Sequence, residues 1–373
     1  MNEIQQYLAE EIASDCGQGH ITRSEALRRL RIMGVSAAVA LSLLSAACGG
    51  EDMNQASRAV ASNGAMTSSP AATPSSVMPA TAPPAPSGMP AATPTMTNEG
   101  NPTPAAPPAG MQAGGTPPAA LPGMPVANPP AAAAPGDPAS MSGPGMGLPT
   151  EAITFNGPNG PLQGAFAAAP QPRGAVLVIH ENRGLNDHIR TVVGRFAAAG
   201  FTAIGLDLLS EEGGTAGLGD PANATAALGL VAPERFVADM QACLDELARR
   251  APGAKIGAVG FCFGGGMMWR LLATKDPRLA AVAPFYGPFP TGTVDFSGSN
   301  AAVLAFYGAL DTRVNATQAM AEAALTTAGL THEMVTEPGA NHAFFNDTGM
   351  NYNAAAAGDA WSRVLAWFGE HLG

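Results

Sequence analysis

The chain has 373 residues and a formal charge of −11, and of its 18 basic residues only Lys255 and Lys275 are lysines. That balance leaves no basic stripe to track a phosphate backbone and excludes a nucleic-acid binder. The four cysteines, Cys16, Cys48, Cys243 and Cys262, form no CxxC pair or finger spacing, so neither a disulfide framework nor a zinc or other metal site is expected, and no cofactor is implied.

Arg23 to Cys48 has the layout of a bacterial export signal: Arg28-Arg29-Leu30-Arg31, an apolar run from Ile32 to Leu44, then small residues. The run is too short to span a membrane comfortably. Leu44-Ser45-Ala46-Ala47-Cys48 resembles a lipoprotein cleavage box, in which Cys48 becomes the lipid-carrying first residue. The arginine pair resembles a twin-arginine signal. Residues 1–48 are therefore expected to direct export to the cell envelope or periplasm, with a lipid anchor at Cys48; a buried amphipathic helix is the competing reading. Residues 49–149 hold 22 of the 34 prolines among Ala, Gly, Met, Ser and Thr, and with so little aliphatic bulk they are expected to form a disordered linker. Residues 150–373 carry all three tryptophans and read as one folded domain, with 13 basic and 20 acidic residues.

Within that domain Ala175-Val176-Leu177-Val178-Ile179 is a run of the kind buried on both faces of a parallel sheet. Asp187 can cap a helix with Ile189, Val192, Val193 and Phe196 on its apolar face and Gly200 at its end. A strand at Phe201 to Leu206 follows. Pro233 opens a helix bearing Phe236, Val237, Met240, Leu244 and Leu247, then comes a strand at Ile256 to Phe261. Further strands are expected at Ala280 to Phe285, Ala301 to Tyr307 and Thr331 to Thr336, and helices at Gly265 to Thr274, Thr317 to Thr327 and Tyr352 to His371. Repeated βα units predict a doubly wound, mostly parallel α/β sheet. Ligands of such sheets sit at the carboxyl ends of the strands, so the residues just after each run carry the functional expectation.

Gly260-Phe261-Cys262-Phe263-Gly264-Gly265 lies between a strand and a helix and has the shape of a nucleophile elbow. The turn needs glycines two places either side of a central residue that projects above the sheet. The Phe263 N–H would face the same point, and the helix N-terminus favours a thiolate at Cys262. Cys243, on an apolar helix face, reads as core. Asp311 and His342 follow two later strands, in the order a nucleophile, acid and base triad needs; a helix cap and a loop histidine are the plain alternatives. His332 and His371 have no such placement.

On these residues the segment from Glu151 to Gly373 resembles the dienelactone hydrolase family of the α/β-hydrolase superfamily. The motifs are His180-Glu181-Asn182-Arg183-Gly184-Leu185-Asn186, the Cys262 elbow, Asp311, and His342-Ala343-Phe344-Phe345. The resemblance implies an ester or lactone hydrolase with a Cys262, Asp311 and His342 triad. It also implies that Glu181 holds the resting thiol, and that the backbones of Phe263 and Asn182 form the oxyanion hole. Its expected partner is a small-molecule ester or lactone. Dienelactone-cleaving members hold the substrate carboxylate with arginines, one of them four residues after the catalytic His, where this chain has Asn346. Arg183 and Arg313 lie near the expected site, free for substrate or paired with Glu181, Asp187 or Asp311. Neutral esters are therefore expected to be preferred. Arg183, Phe289, Phe344 and Phe345 are candidates for the pocket lining. Segments Ser210 to Val231 and Gly287 to Asn300 are expected to shape it.

Two other motifs fail on spacing. His180-Glu181 lacks the second histidine of a metalloprotease helix, with Gly184 in its place, and the glycines from Gly260 to Gly266 lack a dinucleotide spacing. The rival of a different class is a catalytically idle α/β-hydrolase domain acting as an envelope binding module. Retention of Cys262, Asp311, His342 and Glu181 together argues against it.

Overall fold

The structure, a computed structural model, describes residues 1–48 and 147–373. The expected linker therefore falls almost wholly outside the described residues.

An eight-stranded sheet organises the domain. Its strands are β1 (Glu151–Asn156), β2 (Pro161–Ala167), β3 (Gly174–Ile179), β4 (Phe201–Asp207), β5 (Ile256–Phe261), β6 (Leu279–Phe285), β7 (Ala302–Gly308) and β8 (His332–Glu337), in the order β1-β2-β4-β3-β5-β6-β7-β8. β2 pairs antiparallel with β1 and β4, and every later pairing is parallel. β3, β4, β5 and β7 are buried along their whole length, which is why they read as unbroken apolar runs rather than as alternation. The chain passes from β3 outward to β4 and then returns to β5 on the other side of β3. The topological switch point thus lies between β3 and β5, where Glu181 and Cys262 follow their strands.

The first 48 residues form α1 (Glu3–Gly17), α2 (Arg23–Ile32) and α3 (Ala37–Cys48). Asn2 caps α1 by accepting from the Gln5 N–H at 2.7 Å. Thr22 caps α2 by accepting from the Glu25 N–H, with Glu25 at the third helical position as in a capping box. The apolar run from Ile32 to Leu44 is not one helix: the chain turns at Gly34, which has φ +74°, and α3 starts afresh with 12 residues. Among the described residues no helix is long and apolar enough to cross a membrane. α1 packs on α2 and α3, and these helices belong to the same compact unit as the sheet domain.

The sheet is flanked by α4 (Asp187–Ala198), α7 (Pro233–Arg250), α8 (Phe263–Ala273), α10 (Gln318–Ala328) and α11 (Ala354–Leu372), with shorter helices α5 (Thr215–Leu218), α6 (Pro221–Leu230) and α9 (Thr312–Asn315). The cap of α4 is Asn186, whose side chain accepts from Ile189 N–H at 3.1 Å; Asp187, expected there, occupies the first turn, where its charge suits the helix dipole. Within the stretch from Ser210 to Val231, α6 packs against α1.

Candidate active site

β5 ends in a sharp turn at Cys262, with φ 54° and ψ −116°, and α8 begins at the next residue. A side chain in that region costs on the order of 1–3 kcal/mol and needs the surroundings to hold it. They do: the Cys262 N–H donates to Phe285 O at 3.0 Å, and Cys262 O accepts from Gly266 N–H at 3.0 Å. The flanking glycines are required by close approach. A Cβ on Gly260 would lie 2.2 Å from Gly264 O, and one on Gly264 would lie 2.6 Å from the carbonyl oxygens of Ile179 and His180.

Asp311 ends the turn after β7 and holds two partners. Oδ1 caps α9 by accepting from Val314 N–H at 3.1 Å, and Oδ2 lies 2.6 Å from His342 Nδ1. One oxygen thus caps a helix, and the other makes the contact with His342 that the triad reading expects. His342 follows β8 and is 6 % exposed. Its ring nitrogen, the Cys262 Sγ and a Glu11 carboxylate oxygen all lie within 4.8 Å of one another. Such a group has the spacing to share a cation, but Arg313 already pairs with the same carboxylate.

Glu181, just past β3, is buried and held by two donors, Tyr286 Oη at 3.2 Å and Asn346 Nδ2 at 2.6 Å. Asn346, which stands where an arginine was expected from the resemblance, therefore orients the buried glutamate. Neighbouring His180 bridges its own loop to the β4 end, with Nδ1 2.6 Å from Glu181 O and Nε2 accepting from Leu208 N–H at 3.2 Å. Burial pushes its pKa down, so it is a neutral strut.

The site also contains residues that the sequence reading left out. Tyr7 Oη lies 3.2 Å from Cys262 Sγ. Glu11 Oε1 lies 3.2 Å from His342 Nε2 and 4.0 Å from Cys262 Sγ. Arg313 pairs with Glu11, not with Glu181, Asp187 or Asp311, and its guanidinium sits 4.6 Å from the centre of the Tyr7 ring. The available signal was the spacing of four that puts Glu3, Tyr7, Glu11 and Asp15 along one stripe of a helix. Tyr286, with φ 37° directly after β6, was legible only as a residue past a strand end.

The electrostatics follow from this crowding. Burial alone would raise the Glu11 carboxyl, but His342 and Arg313 outweigh it and hold the pKa at about 2. For His342 burial would favour the neutral ring, yet Glu11 and Asp311 together raise it well above the ordinary histidine value. Cys262 is pushed up by burial and then by the Glu11 charge, which favours the thiol.

Two cavities flank the cysteine. One of about 400 Å³ is lined by Tyr7, Phe263, Met267, Phe289 and Arg313 among others. The second, of about 300 Å³, is lined by Glu11, Glu181, Asn182, Arg183 and Cys262 among others. Phe289 is thus a lining residue and the exposed Arg183 a rim residue. Phe344 and Phe345 line neither cavity. They are core: Phe345 stacks on Phe261 at 5.2 Å, and Phe344 meets the Tyr286 ring at 5.3 Å. Cys243 is buried on α7, as its helix position requires.

A strand, tight turn and helix presenting Cys262 at the switch point, followed in chain order by an aspartate and a histidine, define an α/β-hydrolase. The sequence profile of the dienelactone hydrolase family matches residues 162–372, and the chain belongs to that family. It is 31% identical over 246 residues to a carboxymethylenebutenolidase-like protein of Escherichia coli O157:H7, covering 60% of this chain and 90% of that one. To one of Synechocystis it is 33% identical over 254 residues, covering 60% and 98%. A solved dienelactone hydrolase-like structure from Klebsiella pneumoniae superposes with a TM-score of 0.53 at 29% identity, over 59% of this chain and 97% of that one. The dienelactone hydrolase-like promiscuous phosphotriesterase P91 gives 0.50 at 25% identity, over 61% and 100%. Membership makes the chain a carboxylic ester or lactone hydrolase. The family match starts at Leu162, so α1, α2 and α3 lie outside it.

Proposed function

We propose that the chain hydrolyses a small ester or lactone through Cys262, His342 and Asp311, with Glu181 as an auxiliary base. The observation that carries the reading is the 2.6 Å contact of Asp311 with His342 Nδ1, which leaves Nε2 facing the elbow cysteine. Cys262 loses its proton to His342 Nε2, directly or by way of Glu181, as substrate enters, and the sulfur forms a bond to the carbonyl carbon. The developing oxyanion accepts from the Phe263 and Asn182 N–H groups. Phe263 is the first residue of α8, so its N–H has no acceptor within the helix. Each such donor is worth about 3 kcal/mol of transition-state stabilisation. The tetrahedral intermediate collapses, the C–O bond breaks, and the leaving oxygen takes the proton from His342. Water, deprotonated by His342, then hydrolyses the thioester and restores the thiol.

Neutral substrates suit the site better than anions, because Asn346 and not an arginine flanks Glu181. The test is turnover of aryl esters and lactones, cis-dienelactone included, by the full chain carrying Leu8→Glu, which displaces the buried face of α1 from the site, and by the same chain with Cys262→Ala added. Turnover that disappears in the variant supports the reading. Equal rates in both would favour the idle binding module. Export and tethering at the envelope are a separate proposal, supported by Arg28-Arg29, the apolar residues after them and Cys48. Cys48→Ser should release the protein from membranes, and unchanged membrane retention would refute the anchor.

A further inference from the structure

α1 lies across the site in a way that a hydrolase does not need for catalysis and that obstructs it. His342 Nε2 is the nitrogen that must exchange a proton with the thiol and the leaving group, and it faces a Glu11 carboxylate oxygen 3.2 Å away. Cys262 Sγ is the atom that must reach a carbonyl carbon, and it is in contact with the Tyr7 hydroxyl at 3.2 Å. Arg313 closes the arrangement by pairing with Glu11 and lying over the Tyr7 ring.

The helix is fixed at both ends. Near its start, Glu3 pairs with Arg270 of α8 and accepts from Thr291 N–H at 2.5 Å, while Asn2 Nδ2 donates to Gly229 O at 3.0 Å. Just past its end, Gln18 Oε1 accepts from Asn341 Nδ2 at 3.0 Å and from Asn351 Nδ2 at 3.2 Å. Along its length Ile4, Leu8 and Ile12 are buried, and Arg28 of α2 adds an ion pair to Asp220 at 3.1 Å. These contacts reach α8, the loop past β6, the loop past β8 and both ends of α6.

We propose that α1, α2 and α3 form an intramolecular cap that docks Tyr7 and Glu11 on Cys262 and His342 and keeps the uncut chain latent until α1 leaves the site. The proposal rests on Cys262 and His342 being nucleophile and base. Within the capped site the thiol is buried and beside a carboxylate, two influences that both disfavour the reactive thiolate. A cut at the Ala47–Cys48 bond severs the covalent link between the sheet domain and α1, α2 and all of α3 but its last residue. The bond before Cys48 is the one that the cleavage-box resemblance marks out.

The experiment uses the full chain and two variants. Leu8→Glu puts a charge on the buried face of α1 and opens the site whether α1 tilts or all three helices unravel. Glu11→Ala removes the carboxylate facing His342. Two readouts are taken: iodoacetamide alkylation of Cys262, followed by mass spectrometry of its own peptide, and aryl-ester hydrolysis. Alkylation should rise roughly tenfold or more in each variant, the factor expected when one buried charge-assisted contact is lost from a closed state. Hydrolysis should rise in step. Parental Cys262 that is alkylated as fast as in Leu8→Glu would overturn the cap. So would a Glu11→Ala variant whose hydrolysis falls, because Glu11 would then serve catalysis. Fast alkylation without Cys262-dependent hydrolysis in Leu8→Glu would keep the cap as a barrier and overturn the hydrolase reading instead. Buried Cys243 reports on unfolding of the domain: its alkylation together with that of Cys262 in Leu8→Glu would count against the cap.

Discussion

Gly260→Ala tests whether the elbow geometry governs activity. The added Cβ would sit 2.2 Å from Gly264 O, 2.5 Å from Gly264 C and 3.0 Å from Gly265 N, all backbone atoms at the start of α8. Backbone cannot rotate out of the way as a side chain can, so β5 and α8 must separate by about an ångström to restore van der Waals contact. Overpacking of this kind costs roughly 1–3 kcal/mol, or a fall in Tm of about 2–12 °C for a domain of this size. Cys262 and the Phe263 N–H lie on the displaced segment, and an ångström of misplacement can cost on the order of a hundredfold in rate. The assay is kcat/KM on an aryl ester, run in the Leu8→Glu background so that the site is open, with a thermal melt beside it. Gly217→Ala is the control, since Gly217 is exposed and its added Cβ meets nothing within 4 Å. A Gly260→Ala protein with parental activity and Tm would refute the argument, because it would mean that the strand-to-helix junction has slack.

Asp311→Asn in the same open background should lower kcat by roughly 10³- to 10⁴-fold, since it removes the acceptor that fixes the His342 tautomer; a rate within tenfold of the parent would refute the triad. Asn346→Arg would set a guanidinium beside Glu181, and competition assays should show the preference for anionic over neutral lactones rising; an unchanged ratio would mean that this position does not meet substrate. Glu337, at the end of β8, has its pKa raised to about 7, chiefly by burial and then by Asp359. The unfolded chain gives up this proton first as pH rises, so the penalty begins near 4.5 and is complete above 7. Glu337→Gln should accordingly raise Tm at pH 8 and leave it unchanged at pH 4, measured by calorimetry; a destabilised variant at pH 8 would show the ionised carboxylate to be favourable.

β3 to β7 were legible because parallel strands buried on both faces leave an unmistakable apolar run, and β5 begins and ends where that run does. β1 and β2 were not, since antiparallel strands near the sheet edge alternate and carry Gly and Pro, as in Pro161–Ala167. The elbow could be read from glycine spacing because only close backbone approach explains glycines two places either side of Cys262. Phe344 and Phe345 could not be assigned: their place beside His342 in sequence says nothing about side-chain direction, and packing on Phe261 and Tyr286 turns them inward. α1 was the hardest part. Glu3, Tyr7 and Glu11 are ordinary residues for an exposed helix face. Only the tertiary contact with Arg313 and His342, about 300 positions away in sequence, gives them meaning.

Glu11 also has the chemistry of an occupant that the site cannot consume. An ionised carboxylate accepts from Arg313 and faces His342 much as an ester oxygen would. It nonetheless offers the thiol no reaction: its carbon is shielded by delocalised negative charge, and its only leaving group would be oxide. The same charge draws the proton onto His342 and away from the role of base. A segment of this kind binds through the groups proposed for catalysis while holding them in the wrong protonation state. Because the restraint is ionic, it is strongest where Glu11 is ionised and His342 protonated, which spans the range from above the acid limit near pH 2 up to the raised histidine value. Cys262, Tyr7, Tyr286, Glu181, Asp15 and Asp311 face the same pair and none of them is a cation, so if His342 loses its proton Arg313 alone remains to balance Glu11. Raising the pH through the His342 value should therefore loosen α1 before it unfolds the sheet. Proteolysis within α1 should accelerate at high pH while the melting of the domain is unchanged, and simultaneous loss of both would show that the helix is held by apolar burial and not by the ion pair.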